Sequence, residues 1–244
     1  MEEFWLTPSM EPRIVTETPS YLIAYKPPRM HTAPLRQGEE NNLLAWIALR
    51  FPEVLRIKGR KEIEGGLIHR LDFETQGLVL CARTEDAMKA LLAQQEHGEI
   101  VKEYEAVCSK ENHTLLPGFP PLPEDFSMQK CEPGSVSECG SIIIESAFRP
   151  FEKGRKAVRP LVTENAKHKI GELYRTEIVS CVEVNGKCFF KLRIRKGFRH
   201  QIRCHLAWIG RPILNDSLYA ENSGDSGFLA LRATRIEMGS RERT

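Results

Sequence analysis

The sequence predicts an α+β fold: one mixed, mainly antiparallel sheet with flanking helices and loops. Three observations lead there. Short runs rich in Val, Ile, Tyr and Phe recur along the chain, bounded by Gly, Pro and Asn. Two of them, Tyr174 to Val184 and Cys188 to Ile194, are joined through Asn185-Gly186, the strongest short hairpin signal present. Only two or three stretches carry helical periodicity, and they are interspersed among the strands. A chain of 244 residues buries a sizeable core as one large domain or two small ones, and residues 1–244 are read as a single domain.

Arg13 to Glu17 and Tyr21 to Lys26 read as two strands about the turn Thr18-Pro19-Ser20, the second stopped by Pro27-Pro28. Asn42 caps a helix whose Leu43, Leu44, Trp46, Ile47 and Leu49 wrap most of its surface before Pro52. A basic and then glycine-containing segment, Gly59 to Gly66, leads to Leu67-Ile68, and Leu78 to Ala82 forms the next strand. Thr84 caps a second helix with Glu85 and Asp86 in its acidic first turn and Ala87, Met88, Leu91 and Leu92 on its apolar face, ending near His97-Gly98.

Ile100 to Cys108 is a strand with Lys102, Tyr104 and Ala106 on one face. The segment 112–140 holds Pro117, Pro120, Pro121, Pro123 and Pro133 and reads as a proline-rich insertion or surface loop. Ser141 to Ser146 returns to a strand. The basic stretch Arg149 to Arg159 either faces a polyanion or is a plain solvated hairpin. Ile202, Leu206 and Ile209 share one face of a third helix closed by Gly210, and Arg203 lies at the edge of that face, one turn from His200.

The formal net charge of +2 says little about partners, whereas its clustering at Leu55 to Lys61, Arg149 to Arg159 and Arg193 to Arg203 suits a phosphate backbone. Seven cysteines without a C-x-x-C pair suggest neither a disulfide framework nor a zinc site. There is no signal-peptide core and no apolar run near the ~20 residues of a membrane helix. The expectation is a reducing, cytoplasmic setting.

The chain is organised around Gly65 to Leu80. Here an apolar pair delivers His69, Arg70 and Asp72 to a short polar turn, Phe73 to Gly77, and a second apolar run carries the chain away. An Asp on such a turn is held by rigid neighbours yet reachable by a ligand; the bland alternative is an Asx-turn carboxylate that bonds only nearby backbone.

Resemblance adds to this. His69-Arg70-Leu71-Asp72-x-x-Thr75-x-Gly77-Leu78 resembles the central motif of the RluA family of RNA pseudouridine synthases, in which the Asp is the catalytic residue. Further matches follow in the family's order. Lys102-x-Tyr104-x-Ala106-Val107 resembles the block whose Tyr stacks on the target base. Arg199-His200-Gln201-Ile202-Arg203 resembles the block whose last Arg pairs with the catalytic Asp. Gly210-x-Pro212-Ile213-Leu214-Asn215-Asp216-x-x-Tyr219 resembles the next block. Phe228 to Ala233 resembles a closing strand whose leucine, here Leu231, packs on the base. Lys26-Pro27 resembles the first block, and the likeness runs from about Tyr21 to Ile236. Departures are Arg29 and Asn215 where glycine is usual, Phe198 where Arg is usual and Arg232 where His is usual. The expectation is a catalytic domain without the small RNA-binding domain that precedes it in many family members.

The resemblance implies isomerisation of a uridine in ribosomal or transfer RNA to pseudouridine with base flipping, without a metal or cofactor. It makes Asp72, Arg203 and Tyr104 the catalytic residues and gives RNA contacts to Arg70, His69, Lys102, Arg199, His200, Gln201 and Leu231. RNA is the partner implied, the protein acting as a monomer. Bland readings stand beside these: Tyr104 as a half-buried strand aromatic and Arg203 as an exposed helix-surface residue. A non-catalytic RNA-binding protein on the same fold is the alternative function, though binding alone does not require a carboxylate against a polyanion. A glycoside hydrolase using Asp72 and Glu74 is disfavoured by the surrounding cations.

Overall fold

The computed structural model describes residues 8–109, 115–123, 142–151, 154, 156–162, 171–220 and 227–239. Two compact units emerge, one formed by the chain up to Lys102 together with Arg232 onwards, the other by Glu103 to Leu231. The chain leaves the first unit inside strand β4 (Val101–Ser109) and returns at the start of β9 (Leu231–Glu237). Most of the expected insertion lies outside the described residues, as do Cys131 and Cys139; of it, 115–123 are described.

In the first unit the strands run in the order β1 (Arg13–Glu17), β2 (Tyr21–Lys26), β3 (Gln76–Ala82) and β9. The β1–β2 and β2–β3 pairs are antiparallel, and β3–β9 is parallel, with Gln76 opposite Arg232 and Gly77 opposite Ala233. Leu67 makes only an isolated bridge to Cys81, so the expected strand before the central turn is a three-residue attachment to β3 held by Ile68 N–H to Leu80 O (3.0 Å) and Ala82 N–H to Gly66 O (2.7 Å). Both expected caps form. The Asn42 side chain accepts from Ala45 N–H at 3.0 Å above α1 (Leu43–Ala48), and Thr84 Oγ1 from Ala87 N–H at 3.1 Å above α2 (Glu85–Glu96). Leu49, expected on the apolar face of α1, is its C-cap and 86% exposed, because the helix ends one residue earlier. A core of Ile57, Ile68, Leu80, Ala82, Met88, Leu91 and Ile100 lies under α2.

The second unit orders its strands β4, β8 (Lys187–Ile194), β7 (Tyr174–Val184), β5 (Ile142–Phe151) and β6 (Ala157–Leu161). The β7–β8, β5–β7 and β5–β6 pairs are antiparallel. The β7–β8 hairpin closes with Val184 opposite Lys187, and Asn185 (φ 51°) and Gly186 (φ 72°) adopt the left-handed pair of a type I′ turn. The basic stretch from Arg149 is the β5–β6 hairpin, Phe151 facing Ala157; its Glu152, Lys153 and Arg155 lie outside the described residues. Helix α3 (Gln201–Trp208) is buried on every side, not along one face. It closes through Gly210 (φ 75°), with Arg211 N–H bonding Leu206 O and Gly210 N–H bonding Ala207 O in a Schellman arrangement. The fold is α+β and mainly antiparallel, as the pattern implies.

The parallel β3–β9 contact makes a specific demand. Gly77 sits at φ 125°, and a Cβ there would lie 2.3 Å from Ala233 O. Gly77→Ala is expected to cost about 3 kcal/mol or more, read as a fall in the urea midpoint; an unchanged midpoint would contradict this register.

Candidate functional site: a clamped aspartate and a buried arginine

In the first unit the backbone on both sides of Asp72 is tied down. The Thr32 hydroxyl bonds Leu71 twice, accepting from its N–H (3.0 Å) and donating to its carbonyl (2.8 Å). Asp72 O accepts from Thr75 N–H at 3.1 Å, which closes the turn. Phe73 O receives the Lys26 ammonium at 3.3 Å, and the same ammonium donates to Pro27 O (2.9 Å) and Met30 O (2.7 Å). Three carbonyls thus match the three N–H bonds of an ammonium. Lys26 is fully buried, and burial draws its pKa down to about 7 against the pull of the Asp72 and Glu74 carboxylates. Arg29 occupies the left-handed region (φ 57°) at the position where the family pattern has glycine, and its side chain reaches Glu74 at 3.9 Å. Asp72 itself stays partly accessible.

His69 and Lys102, expected to contact RNA, are also in this unit. His69 Nε2 accepts from Leu80 N–H at 3.3 Å, which puts the ring proton on Nδ1, and Nδ1 is buried with no partner among the described residues. Burial, then the Lys102 and Arg60 cations, hold this imidazole well below its usual pKa and therefore neutral. Lys102 is 2% exposed; burial and then Arg60 lower it to about 8. Arg70, by contrast, is exposed and bonded to Glu64 through Nη1 at 2.8 Å.

The second unit holds Tyr104, Arg199, His200, Gln201, Arg203 and Leu231. Arg203 is buried, not reaching outward, and its Nε and Nη2 grip Asp216 Oδ2 and Oδ1 at 2.8 and 2.7 Å. Asp216 Oδ1 also accepts from the N–H groups of Leu218 (3.0 Å) and Tyr219 (3.2 Å), and the guanidinium lies 5.5 Å from the Tyr219 ring centroid. Asn215 (φ 61°) takes the turn where the family has glycine, and its side-chain amide holds Phe228 O at 3.0 Å. His200 (φ 56°) opens α3, its Nδ1 3.3 Å from the Tyr219 hydroxyl. Gln201 is buried and fully used: Oε1 accepts from Phe198 N–H (2.9 Å), and Nε2 donates to Arg175 O (2.9 Å) and Thr176 Oγ1 (3.2 Å). Phe198 stacks on Phe148 with centroids 5.1 Å apart, while the neighbouring Arg199 is exposed. Tyr104 and Leu231 are buried.

A family model described as RNA pseudouridylate synthase matches residues 20–208. The chain belongs to this family. Ribosomal large subunit pseudouridine synthase D of Haemophilus ducreyi is 26% identical over 220 residues, covering 89% of this chain and 56% of that protein. An uncharacterized RNA pseudouridine synthase of Chloroflexus aurantiacus is 29% identical over 194 residues, 80% of this chain and 50% of that protein. The chain spans about half the length of these curated relatives. The human RNA Pseudouridylate Synthase Domain Containing 1 superposes with a TM-score of 0.62 at 16% identity, covering 95% of this chain and 80% of that one. Human RNA Pseudouridylate Synthase Domain Containing 4 gives 0.58 at 15%, with 91% and 82%. These two share the fold.

Several residues of this chain that matter structurally had weak sequence signals. Lys26 was visible as a strand end before proline and, like Asp216, as part of a matched block. Thr32, 39 residues from Leu71, had none. Glu103 is buried and bonded to Arg193 (2.7 Å) and Lys191 (3.4 Å). Burial alone would raise its carboxyl, but the hydrogen bonds and charges of those two cations hold it below the usual range. Among the described residues no group of three or more His, Cys, Asp or Glu converges as a metal site would.

Two outcomes follow from these charges. Asp216→Ala leaves the Arg203 guanidinium buried without its carboxylate and is expected to cost about 3–5 kcal/mol, measured by chemical denaturation. Lys102 titrates lower when folded (about 8) than when unfolded (10.5), so between those values the unfolded chain holds the extra proton and stability rises with pH. Lys102→Met removes that dependence. It should gain stability over wild type at pH 6, by about 2–3 kcal/mol, and lose that advantage by pH 10; a pH-independent difference would refute the buried-ammonium account.

Proposed function

We propose that this chain is an RNA pseudouridine synthase that converts a uridine in RNA to pseudouridine, with Asp72 acting at the sugar. The observation that carries the reading is that the family match runs through Asp72, a carboxylate on a turn whose flanking backbone is held by Thr32, Thr75 and Lys26. A rigid mount of this kind suits a group that must meet one atom of a large, mobile substrate.

In the proposed reaction the N1–C1′ bond breaks, the uracil turns and its C5 bonds to C1′; C5 then loses its proton and N1 gains one, so that the product is an isomer of the substrate. Asp72 either attacks C1′ or takes the C2′ proton. The target atom is inaccessible in a stacked helix, so the nucleotide is flipped out, and Arg70 fills the vacated space. Tyr104 stacks on the uracil, a contact worth ~1–3 kcal/mol, and Leu231 packs against it. A carboxylate covered by a base tends to take up a proton, and the family resemblance gives the Arg203 guanidinium the task of opposing this. The exposed Arg199 favours the phosphate backbone, while Lys102, which is buried, joins His69, His200 and Gln201 in shaping the segments that carry the proposed RNA contacts.

Ribosomal RNA is the first substrate to test, since relatives in Haemophilus ducreyi and Escherichia coli carry the large ribosomal subunit in their names; transfer RNA is the second. The proposed setting is the cytoplasm, the protein acting as a monomer. All five described cysteines are free thiols, which suits a reducing compartment, and among the described residues no helix is long and apolar enough to cross a membrane.

A transcriptome-wide pseudouridine map, with the gene intact, deleted, and restored as wild type or Asp72→Asn, tests the reading. A site that vanishes on deletion and returns only with wild type is the expected result, with RNA binding by Asp72→Asn retained. No changed site in expressing cells would favour a binding role without catalysis.

A further inference from the structure

We infer that Glu64 is a positioning residue for Arg70: a buried, backbone-fixed carboxylate that holds the exposed guanidinium in the orientation from which it enters the RNA. The inference rests on the synthase reading, in which Arg70 takes the place of the flipped base.

The two partners differ sharply in surroundings. The Glu64 side chain is 8% exposed and that of Arg70 54%, yet Arg70 Nη1 lies 2.8 Å from Glu64 Oε1. Lys61 Nζ approaches the same oxygen at 4.0 Å. Glu64 ends a short 3-10 turn, Glu62–Glu64, and its backbone is bonded on both sides: Glu64 N–H to Lys61 O (2.9 Å) and Leu67 N–H to Glu64 O (3.1 Å).

Two glycines then leave the turn no freedom. Gly65 sits at φ 48°, where a Cβ would come 2.6 Å from Val54 O, and a Cβ on Gly66 would come 2.2 Å from Ala82 O. Gly66 N–H bonds Val54 O at 2.9 Å and Ala82 N–H bonds Gly66 O at 2.7 Å, so the turn is pinned between a second 3-10 turn, Pro52–Arg56, and β3. A carboxylate mounted this firmly is an anchor point.

An ion pair between two mobile surface chains contributes little, because both must be ordered to form it. Here one partner is already immobile, and only Arg70 has freedom to lose. One of its five N–H bonds is committed to Glu64, and the planar fork then fixes the direction of the other four. Ordering Arg70 before RNA arrives removes that cost from the flipping step.

The test uses the full chain as wild type, Glu64→Ala, Glu64→Gln, Arg70→Ala and the Glu64→Ala/Arg70→Ala double variant. Side-chain 15Nε relaxation of Arg70 in the RNA-free protein reports its order. Single-turnover pseudouridine formation and RNA affinity report its use. Glu64→Ala is expected to loosen Arg70 and to slow the single-turnover rate about 3- to 10-fold with RNA affinity unchanged, Glu64→Gln recovering part of the rate. In the Arg70→Ala background the Glu64 change should have no further effect, which a merely structural carboxylate would not produce. Unchanged Arg70 order, or the same loss in both backgrounds, overturns the inference. Should Glu64→Ala not fold, the isosteric Glu64→Gln carries the same comparison. If wild type forms no pseudouridine, the synthase reading fails, while the relaxation measurement still decides whether Glu64 anchors Arg70.

Discussion

The second unit depends on the ion pair between Arg203 and Asp216. Both groups are removed from water, at 3% and 0% side-chain exposure, so neither is tolerable without the other. Pairing them fixes more than their own positions. Asp216 also receives two backbone N–H groups of its own turn, and Arg203 sits in a helix with no solvent face. The bidentate bond therefore locks α3 to the turn that follows it, 13 residues along the chain. Tyr219, at the end of that turn, accepts Val158 N–H at 2.8 Å and donates to Val158 O at 3.2 Å, tying β6 into the same network. A residue proposed to assist catalysis is thus also the keystone of its unit, and activity loss on changing it cannot by itself be assigned to chemistry.

The first unit holds the backbone of its candidate aspartate with a hydroxyl and a buried ammonium. Around Asp72 these ties fall on the flanking backbone. The Thr32 hydroxyl, as donor and acceptor at once, and the Lys26 ammonium, shared among three carbonyls, hold residues 71 and 73. Neither device needs a direct bond to the Asp72 side chain. Lys26 adds a positive charge close enough for the carboxylate to be felt in its own titration, a second reason for that lysine to be buried at the end of β2.

Much of this was legible in the sequence where the physics is local. The strands β1 and β2, both helix caps, the Asn185-Gly186 hairpin and the turn after Ile68 follow from neighbouring residues, and the structure contains each. The left-handed Asn215 was readable because asparagine tolerates that conformation; Arg29 does so against its preference, and only the family pattern hints at it. What stayed hidden was distant. A helix with polar residues at Gln201, Arg203 and His205 reads as amphipathic, yet all three are buried because each polar group finds a partner elsewhere: Gln201 at Phe198 and Thr176, Arg203 at Asp216, His205 between Ser146 and Thr176. Periodicity measures polarity, and polarity stops reporting exposure once every donor and acceptor is matched.

The same reasoning explains why a net charge of +2 is uninformative here. Lys26, Lys102, Arg203 and Arg211 are buried, as are Glu64, Glu103 and Asp216. Those seven charges act inside the protein, at short range and low dielectric, and contribute little to the field an approaching polyanion meets. Each buried carboxylate is bonded to an arginine: Glu64 to Arg70, Glu103 to Arg193, Asp216 to Arg203. In two of these pairs the arginine is at least partly exposed, so the buried acid acts as a fixed socket for a cation facing solvent. Basic clusters read from sequence therefore mix two populations, cations free to reorient and cations already aimed. For binding a flexible single strand the second kind is worth more per charge, since its ordering cost has been met in folding.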